Sequence, residues 1–119
     1  MIEVPNFNNI TISVLGDVML DRYLFGKSDR ISPEAPVPVV NIIKTEDRAG
    51  GAANVAVNLN QLGIQTNLLG LLGDDEEGQI LENILFRAGV SCHLKKIRST
   101  NTTVKTRIQS RGQQLIRFD

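Results

Sequence analysis

Several things are scarce in this chain of 119 residues, and each scarcity excludes something. Cysteine occurs once, at Cys92, so no internal disulfide can form and a reducing compartment suits the protein. Histidine also occurs once, at His93, beside that cysteine. Neighbours on a strand point to opposite faces, which argues against a metal pair or a catalytic dyad there. Net charge is absent: thirteen basic residues balance thirteen acidic ones, so no global field draws nucleic acid or an anionic membrane. No apolar run approaches the roughly 20 residues of a membrane span. The start, Met-Ile-Glu-Val-Pro-Asn, lacks the basic flank and apolar core of a signal, which predicts a cytoplasmic protein. The length suits one small domain with a core of its own.

What is present is an alternation of strand and helix signals. Ile10, Ile12 and Val14 alternate with Thr11 and Ser13, a strand that runs toward Asp17. Ligands of open α/β sheets sit beyond the carboxyl ends of their strands, so Asp17 is placed for function. Asp21 follows four residues later. Taken alone, Asp17 serves equally well as a turn cap, and Asp21 as a solvated loop charge. From Ser28 to Pro38 three prolines forbid a helix and force extended backbone. Val39, Val40, Ile42 and Ile43 then read as a strand ending in the charged run Lys44 to Arg48, an insertion ahead of the first helix.

The stretch Arg48-Ala49-Gly50-Gly51-Ala52-Ala53-Asn54-Val55-Ala56 leads into that helix, which Gly63 closes in a left-handed cap. Ala52, Val55, Ala56, Leu59 and Leu62 recur at helical spacing and predict its packed face. The glycine pair lies at the helix start, where free backbone N–H groups favour a polar or anionic ligand and a missing Cβ allows close approach. On the glycines alone an ordinary turn explains them as well. Leu68, Leu69, Leu71 and Leu72 predict a strand buried on both faces. Asp74 or Asp75 caps the next helix, whose stripe is Ile80, Leu81, Ile84, Leu85 and Ala88, closed by Gly89. The repeated helix–Gly–strand unit indicates an α/β core with parallel strands. Val104 to Ile108 and Leu115 to Phe118, around Ser110-Arg111-Gly112-Gln113, predict a β-hairpin with a basic face. The chain ends inside the pattern of that second strand, which predicts a truncated protein.

With these residues assembled, the sequence resembles the ribokinase-like sugar kinases, the PfkB carbohydrate kinase family. The resemblance rests on Gly50-Gly51-Ala52-Ala53-Asn54-Val55-Ala56, Gly63 and Gly73 as a long, spaced signature. Three further stretches look like the heptose-7-phosphate kinase branch. They are Gly16 to Tyr23, Arg30 to Pro38, and Thr103 to Arg107, with Gln113-Gln114-Leu115 and Arg117 beyond.

The resemblance implies a ribokinase-like parallel sheet flanked by helices, with a small protruding β-sheet lid and only the N-terminal part present. The core would take about residues 10–17 and 49–98, and the lid strands about 18–48 and 102–119. The implied activity is ATP-dependent phosphorylation of D-glycero-β-D-manno-heptose 7-phosphate at O1, toward ADP-heptose for lipopolysaccharide core. Asp17, Asp21, Gly50, Gly51 and Asn54 would hold sugar hydroxyls, and Lys105, Arg107 or Arg48 the 7-phosphate. ATP and Mg²⁺ are the implied cofactors; their sites and the catalytic base belong to the family's second signature, outside these residues. A homodimer through lid strands and a C-terminal adenylyltransferase domain in the parent chain are the implied partners. Rival readings are another sugar kinase of the family, for ribose, fructose or a keto-sugar acid, and a non-catalytic dimerisation or sugar-binding fragment. A dinucleotide-binding fold fits poorly, because Gly16 is followed by Asp17-Val18-Met19 instead of a glycine-rich turn.

Overall fold

The computed structural model describes residues 1–119. Its elements in chain order are β1 (Thr11–Leu15), β2 (Val18–Ile31), β3 (Pro38–Gly51), α1 (Ala52–Gln61), β4 (Gln65–Gly73), α2 (Glu76–Arg87), β5 (Ser91–Ile97), β6 (Val104–Ser110) and β7 (Gln113–Phe118). They form a three-stranded sheet in the order β1-β4-β5 and a four-stranded sheet in the order β3-β2-β6-β7. The chain divides into two compact units. The first is Met1–Leu20 with Arg48–Thr103, and the second is Asp21–Asp47 with Val104–Asp119.

In the first unit both strand pairs are parallel, Thr11 opposite Gln65 and Asn67 opposite Ser91. Parallel pairing requires crossovers, which α1 and α2 provide. Each helix ends in the same way. Gly63 and Gly89 take positive φ (85° and 81°), their N–H groups bond to Asn60 and Phe86, and the next amides bond back to Leu59 and Leu85. This is the Schellman arrangement. The apolar residue after each glycine, Ile64 or Val90, is then buried as the next strand begins. Asn60 Nδ2 donates to the Ala88 carbonyl at 2.5 Å, joining the ends of the two helices.

The core of this unit holds Ala53 and Ala56 of α1, Leu68 and Leu72 of β4, and Leu81 and Leu85 of α2. Two expectations are corrected here. The inward face of α1 centres on Ala53 and Ala56, whereas Val55 and Leu62 are about half exposed. The helix begins directly from the end of β3 at Gly51, and that junction sets its rotation. Leu69 and Leu71 are also exposed, so β4 is covered on one face only. Strand side chains alternate, and α1 and α2 supply cover to the face carrying Leu68 and Leu72.

In the second unit β6 and β7 form the expected antiparallel hairpin. Its turn residues Arg111 and Gly112 both have positive φ (51° and 76°), the mirror-image turn that matches strand twist. Two elements outrun their sequence signals. β2 is a strand of 14 residues, so Asp21 lies within regular structure and not in a loop. β3 continues through the charged run to Gly51. Arg22 and Asp47 explain part of this, since their two-point ion pair (2.8 and 3.1 Å) lets charged positions face each other across paired strands.

Candidate functional site

Three parallel strands that end on one side leave a hollow beyond their carboxyl ends. In the first unit that hollow is a cavity of about 510 Å³. Its rim comprises the segment from Leu15 to Met19 after β1, the end of β4 from Gly70 to Gly73, and Ile97 with Thr100 to Thr103 after β5. Asp17 is on this rim and exposed. Its carbonyl accepts the Ala52 amide at 2.9 Å, which fixes the first residue of α1 against it.

Gly51 makes that junction possible. Its backbone (φ 58°, ψ −133°) lies in a region that glycine occupies and other residues avoid. A Cβ there would stand 2.5 Å from the Asp17 carbonyl oxygen and 2.8 Å from the Met19 methyl carbon. The helix it starts carries no side-chain cap and no acidic residue in its first turn. Its leading amides therefore have no side-chain acceptor. Gly50 is buried in the end of β3, and Asn54 and Arg48 are exposed. None of these three lines the cavity with Asp17.

The start of α2 contrasts with that of α1. Asp75 Oδ1 accepts the Gly78 amide at 2.8 Å and the Thr102 hydroxyl at 2.6 Å, and Oδ2 accepts the Thr102 amide at 2.7 Å. Thr102 Oγ1 in turn accepts the Gly73 amide at 3.1 Å. Side chains at Gly73 or Gly78 would collide with this clamp. It locks the segment after β5 against the end of β4, and so shapes the cavity rim. Sequence reasoning left the choice between Asp74 and Asp75 open and passed over Thr102. The run of hydroxyl and amide residues from Ser99 to Thr103 was the available signal.

Desolvation raises the Asp75 carboxyl, but the bonds from the Thr102 hydroxyl and from the Thr102 and Gly78 amides outweigh it and hold the group below its ordinary value. A carboxylate depressed in the folded state stabilises fully above its unfolded value, near 3.9, and loses that contribution as pH falls through the folded value. Asp75→Ala is expected to cost about 1–2 kcal/mol at neutral pH. The gap to the unsubstituted protein should close below about pH 4, which urea unfolding at several pH values measures. A gap that stays constant into acid would refute the clamp.

In the second unit Asp21 and Arg107 come together. Arg107 Nη1 donates to Asp21 Oδ1 at 3.0 Å, and both side chains are about four-fifths buried. The guanidinium also lies over the Tyr23 ring, 5.3 Å from its centre. Tyr23 stacks with Phe25, and Lys44 lies over Phe25. The basic face expected of the hairpin is thus largely engaged. Arg117, directly opposite Arg107 in the ladder, forks onto Asp119 at 2.9 and 2.7 Å. Lys105 is half-buried on the same strand as Arg107.

A second hollow of about 570 Å³ runs along α2 and β5, lined by Glu82, Phe86 and Cys92 among others. Burial, then the Glu82 charge, push the Cys92 thiol up, away from the reactive thiolate. No group of three or more His, Cys, Asp or Glu side chains gathers as a metal site. No helix is long and apolar enough to cross a membrane.

A parallel α/β unit with its hollow at the strand ends, and a Gly-Gly helix start held against Asp17 on the rim, defines a class, and residues 9–119 match the pfkB family carbohydrate kinase description. The chain belongs to that family. Among its relatives is the bifunctional protein HldE of Actinobacillus succinogenes, 55% identical over 113 residues, covering 95% of this chain and 24% of the relative. Another is the bifunctional protein HldE of Pseudomonas syringae pv. syringae, 51% identical over 118 residues, or 99% of this chain and 25% of the relative. The chain spans about a quarter of the length of these curated relatives. A carbohydrate kinase from Agrobacterium tumefaciens superposes with a TM-score of 0.76 at 26% identity, over 92% of this chain and 34% of that one. Phosphofructokinase-2 from Escherichia coli, solved with fructose-6-phosphate, gives 0.74 at 21% identity over 92% and 35%, a likeness of fold.

Proposed function

We infer that the full-length protein is an ATP-dependent sugar kinase that phosphorylates D-glycero-β-D-manno-heptose 7-phosphate at O1, toward ADP-heptose and the lipopolysaccharide core. The observation that carries this is the uncapped start of α1, held by Gly51 against the Asp17 carbonyl at the carboxyl ends of the parallel strands. A helix start without a side-chain cap, tied to Asp17 through the Ala52 amide, suits vicinal hydroxyls, which both donate and accept. Asp17, with the glycines and Asn54, holds sugar hydroxyls in the first unit. Asp21 does so in the second, which corresponds to the family's small β-sheet. Lys105, Arg107 and Arg48 are the candidate cations for the 7-phosphate, and Arg107 already has Asp21 as a partner. The relatives' description as bifunctional supports a further domain in the parent chain, which we read as an adenylyltransferase, in a cytoplasmic protein.

ATP supplies the transferred group, and Mg²⁺ when bound neutralises charge on it. No residue of this chain is assigned to either, and on this reading residues 1–119 alone bind sugar without turning it over. The strands β3 and β7 at the edges of the second sheet leave backbone groups for pairing with another copy, so the parent protein is a homodimer.

The test is a substrate panel on the full-length protein with ATP and Mg²⁺, comparing heptose 7-phosphate with ribose, fructose and keto-sugar acids. Heptose 7-phosphate is expected to be preferred at least 100-fold in kcat/KM, on the order of 3 kcal/mol of discrimination. Preference for another sugar, or turnover by residues 1–119 alone, would contradict this reading. Sedimentation at several concentrations reports the dimer, and a strictly monomeric species would remove it.

A further inference from the structure

We propose that Arg107 is a positioning residue that acts on the sugar through Asp21 and makes no contact with the phosphate. This rests on the reading of Asp21 as a sugar ligand. Asp21, Tyr23 and Phe25 alternate along β2 and so share one face of the second sheet. Arg107 of β6 reaches that face, with Nη1 at 3.0 Å from Asp21 Oδ1 and its guanidinium over Tyr23.

The contact to Asp21 is through a single carboxylate oxygen. One oxygen is thereby fixed, while Oδ2 is left to accept from a hydroxyl. The ring beneath the guanidinium limits how it can tilt, and Phe25 stacks on that ring at 6.2 Å between centroids. Both members of the pair are about four-fifths buried, which distinguishes them from the solvated pairs of this unit, such as Arg111 with Asp29. Arg117 provides an internal comparison. It faces Arg107 directly across the ladder and carries the same charge, but Asp119 holds it, and its side chain is 45% exposed. Two arginines opposite one another are unfavourable unless each is neutralised, and here each has its own carboxylate. Arg107 is therefore already committed through Nη1, and its burial and the Tyr23 ring beneath it leave its remaining N–H groups little access to a phosphate.

The experiment measures binding by the full-length protein of heptose 7-phosphate and of the same heptose without its phosphate. Wild type, Arg107→Met, Arg107→Lys, Asp21→Asn, the double variant Arg107→Met/Asp21→Asn, and Arg117→Met are compared. Arg107→Met is expected to weaken both ligands by the same factor, about 10- to 50-fold, the range of one charge-assisted hydrogen bond. Arg107→Lys recovers part of the loss, since an ammonium can reach the carboxylate without stacking as a plane. In the Asp21→Asn background Arg107→Met costs no more than twofold, and Arg117→Met stays within twofold of wild type. A loss confined to the phosphorylated sugar, or one that persists without the Asp21 carboxylate, overturns the proposal by making Arg107 a phosphate ligand. An equal loss in Arg117→Met also overturns it, by showing a general charge effect. Failure of wild type to bind either sugar removes the sugar-site reading and this proposal together, and no variant comparison can produce that result.

Discussion

Gly51→Ala is expected to remove most of the stability of the first unit. The cost has two sources. An alanine must adopt a backbone conformation that only glycine occupies readily, at about 1–3 kcal/mol. Its Cβ must also fit where the Asp17 carbonyl oxygen would lie 2.5 Å away, and overpacking of that kind costs about 1–3 kcal/mol more. The obstacle is backbone, so a rotamer change cannot relieve it. The local remedy is to move Asp17 away from Ala52, which breaks their 2.9 Å bond and detaches the helix start from the aspartate proposed to hold sugar hydroxyls. Urea unfolding of the full-length protein should show a lowered midpoint with an unchanged slope. Sugar affinity should fall together with stability. Gly112→Ala is the matched comparison, because that glycine also has positive φ but has open space around its Cβ position, so only the backbone part of the cost remains. Equal midpoints for the two variants would show that the contact with Asp17 is unimportant.

Asp21→Asn is expected to weaken sugar binding by about 10- to 100-fold while the protein stays folded. Losing a charged acceptor for a hydroxyl is worth about 1.5–3 kcal/mol. The amide is isosteric, so the packing around it is kept. The stability cost is then roughly 1 kcal/mol, since the pair is shielded but not fully buried. Isothermal titration with heptose 7-phosphate measures the first quantity and urea unfolding the second. Unchanged affinity with reduced stability would make Asp21 a structural partner of Arg107 and nothing more.

Local periodicity carried the parallel core into view before any coordinates. Gly63 and Gly89 mark helix ends because left-handed caps favour glycine, and the apolar stripe of α2 is regular enough to give Leu81 and Leu85 directly. What the pattern missed depends on tertiary partners. Leu69 and Leu71 look like core residues by composition, but burial depends on what packs on their face, and here both are exposed. The strands β2 and β3 were under-read because Asp21, Arg22 and Asp47 resemble loop residues until the pairings that neutralise them are seen. The same limit applied to the site. Asp17, Gly51 and Asp21 could be singled out by position and motif, whereas the commitment of Arg107 and the Asp75–Thr102 clamp join residues far apart in sequence.

The insertion between β1 and α1 also has a kinetic consequence. The strand β4 pairs with β5 across a short connection that contains only α2. It pairs with β1 across more than twice that length of chain, because β2, β3 and α1 all intervene. Closing the longer loop costs more conformational entropy before any contact rewards it. In folding, the β4–α2–β5 unit is therefore expected to assemble first, with β1 docking onto it later. The hollow that carries Asp17 needs the ends of both β1 and β4, so it is among the last parts of the molecule to take shape.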